Sequence, residues 1–208
     1  LLCNPHNPVG RVWTREELEK VGDICLKHNV LVVSDEIHAD FVFKGRHQVF
    51  AAIKKEYEDI TVTCTAPSKT FNLAGLSLSN IFIPNRKLKH RFKDQLSAAG
   101  IGSRGGMGLV ACQSANEKGE EWYQAMKSYV WANIEFTKQY VEENLPGVKM
   151  IDHEGTYLVW LDFRDTGLSV DELEDLIIHK AKLWLDSGKI FGKSGEGFQR
   201  INVACPRS

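Results

Sequence analysis

Cysteine is sparse in this 208-residue sequence, with five scattered residues, Cys3, Cys25, Cys64, Cys112 and Cys205. They form no CxxC pair and are odd in number, which excludes a disulfide framework and a zinc-finger type of site and points to reduced thiols in a cytoplasmic compartment. An excess of charge is also missing: 26 basic against 27 acidic side chains leave a formal net charge of -1. No long-range field therefore draws the chain to nucleic acid or to an anionic membrane, and any partner must be recognised locally. No apolar run approaches the length of a membrane span, and the opening "LLCNPHNPVG" has neither the charged start nor the cleavage site of a signal peptide. The histidines His6, His28, His47, His90, His153 and His179 show no metal-ligand spacing, so no metal is expected.

What is present is the composition of an ordinary globular protein, 43% hydrophobic and 25% charged. "LLC" runs into the double Asn-Pro turn "NPHNPVG", of the kind that ends strands. "TREELEKVGDICLKHN" then predicts a helix, with Thr14 as cap, Glu17 three residues on, and Leu18, Val21, Ile24 and Cys25 at helical spacing. "VLVVSDEI" and "DITVTCTA" predict strands buried on both faces, and "LSNIFI" one more strand. Strand, helix, strand, strand is the signature of an α/β fold with a mainly parallel sheet covered by helices. Further on, "NRKLKHRFKDQLSAAG" and "EKGEEWYQAMKSYVWANIEFTKQYVEEN" predict helices, the second ended by Pro146 and Gly147. "VKMID", "TYLVWLDFR" and "FQRINVAC", with the amphipathic "SVDELEDLIIHKAK" among them, predict a smaller C-terminal α+β domain. The expected division is 1–110 for part of a large domain and 111–208 for linker helix and small domain. Both ends of the sequence read as cut, so a fragment is expected.

In a parallel sheet, ligands bind beyond the C-terminal ends of the strands. Those ends carry Asn4 and Asn7, then Asp35, Glu36 and His38, then Ser68 and Lys69, which are expected to converge on one crevice. A lysine held among apolar neighbours is disfavoured in its charged form, which frees a neutral amine to attack carbonyls. A carboxylate beside it can pair with the amine or hold a proton on a heterocyclic nitrogen. Pyridoxal phosphate uses both services, although a solvated surface lysine and a helix-capping "SDE" would leave the same trace in the sequence.

The motifs decide between these readings. "NPHNPVGRVW", "SDEIHADF", "SKTFNLAGL", "EGTYLVWLDFR" and "GFQRINVACPRS" occur in this order. The chain resembles, along its whole length, the aminotransferase class I/II superfamily of fold-type I pyridoxal-phosphate enzymes, and within it the MalY/PatB branch of cystathionine β-lyases and related C-S lyases. The resemblance implies a three-layer sandwich with a mainly parallel sheet, pyridoxal 5'-phosphate as cofactor, and a homodimer. It makes Lys69 the Schiff-base lysine and proton shuttle, and Asp35 the partner of the pyridine nitrogen. Asn7 and His38 would face the phenolic oxygen of the cofactor, Ser68 the phosphate, and Arg200 the α-carboxylate of an amino-acid substrate. The implied reaction is an α,β-elimination through an external aldimine that releases a sulfur leaving group. Transamination shares the first steps, so aminotransferase is the alternative, and a non-catalytic regulatory or binding module is the second.

Two positions depart from the family pattern: Ala66 replaces a hydroxyl residue before the lysine, and Ser77 replaces a phosphate-binding arginine after it. The family's glycine-containing phosphate loop and ring-stacking aromatic lie upstream of the first motif, so these residues alone are expected to bind cofactor weakly or not at all. "GKIFGKS", with three residues between its glycines, is no P-loop and reads as a flexible turn. "GSRGGMG", residues 102–108, follows no strand and is no dinucleotide fingerprint.

Overall fold

Thr14 opens the first helix through the reciprocal bonds its spacing predicts: Thr14 N donates to Glu17 Oε2 at 3.0 Å and Glu17 N donates to Thr14 Oγ1 at 3.3 Å. The structure is a computed structural model that describes residues 1–101 and 105–207. It divides into two units, the first made of Leu1–Pro5 and Val12–Ala125, the second of His6–Arg11 and the chain from Met126 onward.

In the first unit, β1 (Leu2–Cys3) leads to α1 (Arg15–Lys27), β2 (Val32–Asp35), β3 (Thr61–Thr65), the one-turn α2 (Pro67–Thr70) and β4 (Asn80–Phe82). The strands lie in the order β1-β2-β3-β4, the first three parallel and β4 antiparallel to β3. The register sets Asp35 between Cys3 on one side and Cys64 on the other. A core of Leu2, Leu18, Val32, Phe50, Ile53 and Tyr57 fills one face. There α1 comes so close that a Cβ on Gly22 would lie 2.2 Å from Tyr57 Cζ. The expected burial of both faces is not found in β2, where Val33 is 38% exposed between buried Val32 and Ser34. The strand alternates because its core packing is confined to one side.

α3 (Arg86–Ala98) and α4 (Gly106–Lys118) follow, then α5 (Glu120–Asn144). The helix expected from Glu117 starts instead at Glu120, after a break at Gly119, where a Cβ would lie 2.5 Å from Phe71 Cε1. Of "GSRGGMG", residues 102–104 lie outside the described residues, and Gly106 to Gly108 open α4.

In the second unit, α5 buries Val130, Ile134 and Val141. The sheet is antiparallel, in the order β5 (Lys149–Met150), β6 (Leu158–Asp162), β8 (Phe198–Asn202) and β7 (Asp186–Ser187). Between β6 and β7 lies α6 (Val170–Asp175), capped by Ser169 and Glu172 and continued by a π-turn over Leu176–Lys180. The ring of Trp160 stacks on Phe198 at 5.1 Å and meets Phe191 edge-on at 5.4 Å. "GKIFGKS" is largely exposed, but its first glycine is tightly packed. Gly188 and Gly195 meet backbone to backbone, and a Cβ on Gly188 would fall 1.8 Å from the Gly195 carbonyl oxygen. No helix among the described residues is long and apolar enough to cross a membrane.

Candidate functional site

In the first unit the site is built on the ends of two neighbouring strands. β3 ends at Thr65, Ala66 is extended, and Pro67, lacking an N–H, takes the first position of α2. This one-turn helix is closed by Phe71 N donating to Pro67 O at 2.9 Å and Leu73 N to Ser68 O at 3.2 Å. It holds Ser68 and Lys69 half-buried just beyond the end of β3, the strand paired with β2. Among the described residues, no hydrogen bond or ion pair engages the Lys69 ammonium.

Asp35 is the last residue of β2, and beyond it Glu36 N still donates to Cys64 O at 2.9 Å, so the two strand ends remain zipped. Asp35 Oδ1 accepts from Ile37 N at 3.3 Å, and among the described residues its other oxygen has no partner. The Cys64 thiol next to it is pushed up first by burial and then by the charges of Asp35 and Glu36. His38 lies buried in the turn that follows, edge-on to Phe41 at 6.4 Å.

Glu36 has a structural task. Its Oε1 accepts from Ser34 Oγ at 2.8 Å and Phe50 N at 3.1 Å, and its Oε2 meets His47 Nε2 at 2.8 Å. A buried carboxylate with these partners ties the 43–50 segment to the end of β2. Asn4 is a brace as well, 1% exposed, with its Oδ1 accepting from Trp13 N at 3.1 Å.

The remaining two candidates, Asn7 and Arg200, belong to the second unit and are joined there despite their separation in sequence. Arg200 Nη1 donates to Asn7 Oδ1 at 2.8 Å. Because the amide oxygen faces the guanidinium, the Asn7 Nδ2 donor points elsewhere, and among the described residues it has no partner. The "NPVG" turn is held by Glu154 N and Gly155 N donating to Gly10 O at 2.9 and 2.8 Å. Gly10 sits at φ 77, and a Cβ there would meet His153 Nδ1 at 2.5 Å, so the motif's glycine is required. Burial raises the Tyr157 phenol above its ordinary value, and the charge of nearby Arg200 offsets part of that rise.

Three residues at these places escape sequence reasoning. Thr70 and Asp40 are bonded to each other at 2.5 Å, and Asp186 carries the other side of Arg200. Each is visible only through a partner far along the chain; Asp186 in particular lies in β7, a two-residue strand that no hydrophobic pattern announces.

The chain is 44% identical over 206 residues to the cystathionine beta-lyase PatB of Bacillus subtilis, covering 99% of this chain and 53% of that protein. It is 32% identical over 210 residues to the protein MalY of Escherichia coli, covering 100% of this chain and 53% of that one. Among solved structures, cystalysin from Treponema denticola, which contains a pyridoxal 5'-phosphate cofactor, superposes with a TM-score of 0.95 at 41% identity, covering 99% of this chain and 52% of that one. The chain thus spans about half the length of the curated relatives it matches. The model of one family, aminotransferase class I and II, matches residues 1–208, and the chain belongs to that family.

Proposed function

We propose that the protein is a pyridoxal 5'-phosphate-dependent carbon–sulfur β-lyase of the cystathionine β-lyase type, acting on small sulfur-containing amino acids. The observation that carries the reading is the Lys69 ammonium, half-buried on α2 with no partner among the described residues, beside a strand that ends in Asp35 with one carboxylate oxygen unused. Lys69 and Asp35 thus both keep hydrogen-bonding capacity that a ligand could use.

The donor set fits the cofactor. Within the first unit, Lys69 would supply the amine for its aldehyde, Asp35 the carboxylate for its pyridine nitrogen, His38 a donor for its phenolic oxygen and Ser68 a hydroxyl for its phosphate; within the second, Asn7 Nδ2 is the donor that the family resemblance assigns to the phenolic oxygen. The extended Ala66 and the left-handed Ser77 supply no side-chain cation for that phosphate. When bound, the cofactor supplies an electron sink that makes the substrate Cα–H bond acidic. Arg200 holds the substrate α-carboxylate in its planar fork, which fixes the orientation of the Cα–H bond. Lys69, released from the aldehyde as a neutral amine, would take the Cα proton and could return it to the thiolate leaving Cβ, while Asp35 would face the ring nitrogen.

Aminotransferase activity is the second reading, favoured by the family match itself. Incubating the protein with cystathionine and no added keto acid separates the two: a lyase releases pyruvate, whereas a transaminase needs an acceptor. Lys69→Ala is expected to abolish pyruvate release while the variant stays folded; pyruvate release at the wild-type rate would overturn the assignment.

The cytoplasm as its place and a homodimer as its assembly belong to the same proposal. All five cysteines are free, which supports a reducing compartment. Met107 and Val110 of α4, 75% and 61% exposed, support an apolar contact with a second copy.

A further inference from the structure

The guanidinium of Arg200 is held from three directions within its own unit. Arg200 and Asp186 are direct cross-strand partners on β8 and β7, so their side chains leave the same face of the sheet. Arg200 Nε and Nη2 both donate to Asp186 Oδ2, at 3.1 and 2.6 Å. Nη1 donates to Asn7 Oδ1 at 2.8 Å, and against the face lies the ring of Phe191, 4.9 Å from Cζ. A guanidinium carries five N–H donors, so these contacts leave two, one on each terminal nitrogen. The Arg200 side chain is only 16% exposed, against 46% for Asp186.

We infer that Asp186 is a positioning residue for substrate: it fixes the plane of the Arg200 guanidinium so that the two remaining N–H groups are presented together to one carboxylate. The inference rests on the reading of Arg200 as the carboxylate anchor. A guanidinium on a flexible stem would lose rotational freedom each time it gripped a carboxylate, and a permanent partner on the Nε edge removes that loss beforehand. The same partner compensates the charge of a largely buried cation while the site is empty of substrate. Asp186 acts through Arg200 and touches no reacting atom.

The test uses the full protein with pyridoxal phosphate and measures the inhibition constant of propionate, which has the carboxylate and no amine to react. Asp186→Ala is expected to weaken propionate about tenfold, the loss of one charge-assisted contact. Asp186→Asn, which keeps an acceptor at the same place, is expected to recover part of that loss. The KM for cystathionine rises in parallel with little change in kcat, and propionamide inhibition stays the same in all variants. Thermal melting of each variant separates unfolding from misplacement, with Asp186→Asn as the variant to rely on if the alanine protein is unstable. If Arg200→Lys weakens propionate while both Asp186 variants bind it as the wild type does, the positioning role is overturned and the carboxylate anchor stands. If Arg200→Lys also leaves propionate binding unchanged, the anchor assignment fails and the role of Asp186 falls with it.

Discussion

The buried hydroxyl of Thr70 donates to Asp40 Oδ2 at 2.5 Å, and this bond joins the turn after β2 to the helical turn that carries Lys69. The backbone carbonyl of Asp40 is itself held, by Tyr123 Oη at 2.7 Å. Two loops that leave neighbouring strands, and that supply Asp35, His38, Ser68 and Lys69, are thus latched to each other beyond the sheet. Thr70→Val keeps the shape and removes the donor, so a loss of about 1 kcal/mol of stability is expected, read as a lower urea midpoint. Thr70→Ser should restore most of it. Equal midpoints for the wild type and the valine variant would show that the latch carries no weight.

His6 gives the second unit an acid-side weakness. Burial first, and then the charge of Arg11, hold its pKa below the ordinary 6.5. The unfolded chain therefore takes up this proton before the folded one does. Stability contributed by the neutral ring is complete above 6.5 and is lost as pH falls from there through the lower folded value. His6→Gln should flatten that part of the profile, measured as melting temperature between about pH 5 and pH 7.5, the range in which an ordinary histidine titrates. An unchanged slope would assign the acid sensitivity to other groups.

The thiols should differ in reactivity. Cys64 is part-buried and pushed up by burial and by Asp35 and Glu36, whereas Cys205 is exposed. Since the thiolate is the reactive form, iodoacetamide at neutral pH should modify Cys205 well before Cys64. Peptide mapping by mass spectrometry reads the order directly. Early labelling of Cys64 would contradict the placement of its sulfur beside two carboxylates.

Much of the architecture was legible because it is written in local signals. The Thr14 and Glu17 pair marks a helix start, Pro146 and Gly147 mark a helix end, and a lysine in a small-residue run follows a β-branched strand. These depend on residues a few positions apart. What escaped depends on distant ones. The helix expected from Glu117 begins only after Gly119, a position where Phe71 leaves no room for a Cβ, and periodicity counts residues without knowing what lies across from them. Residues 6–11 cluster with the second unit, although their neighbours on both sides belong to the first. Asp186 looks like any surface aspartate until β7 pairs with β8. The β-branched run "VLVVSDEI" predicts burial on both faces, yet Val33 is exposed, because packing on one face is enough to set a strand and hydropathy does not report which face.

The reversed direction of β4 has a consequence for electrostatics. Asn80 pairs with Thr65 and Phe82 with Thr63, so the strand carries the chain away from the rim where Lys69 stands. Asn85, the cap of α3, donates through Nδ2 to Asp59 O at 2.9 Å, just ahead of β3. The cations that begin α3, Arg86 and Lys87, therefore start from the far rim, where solvent ions screen them from the opposite edge. The positive charge at the very start of this helix therefore lies at the end of the sheet opposite Lys69.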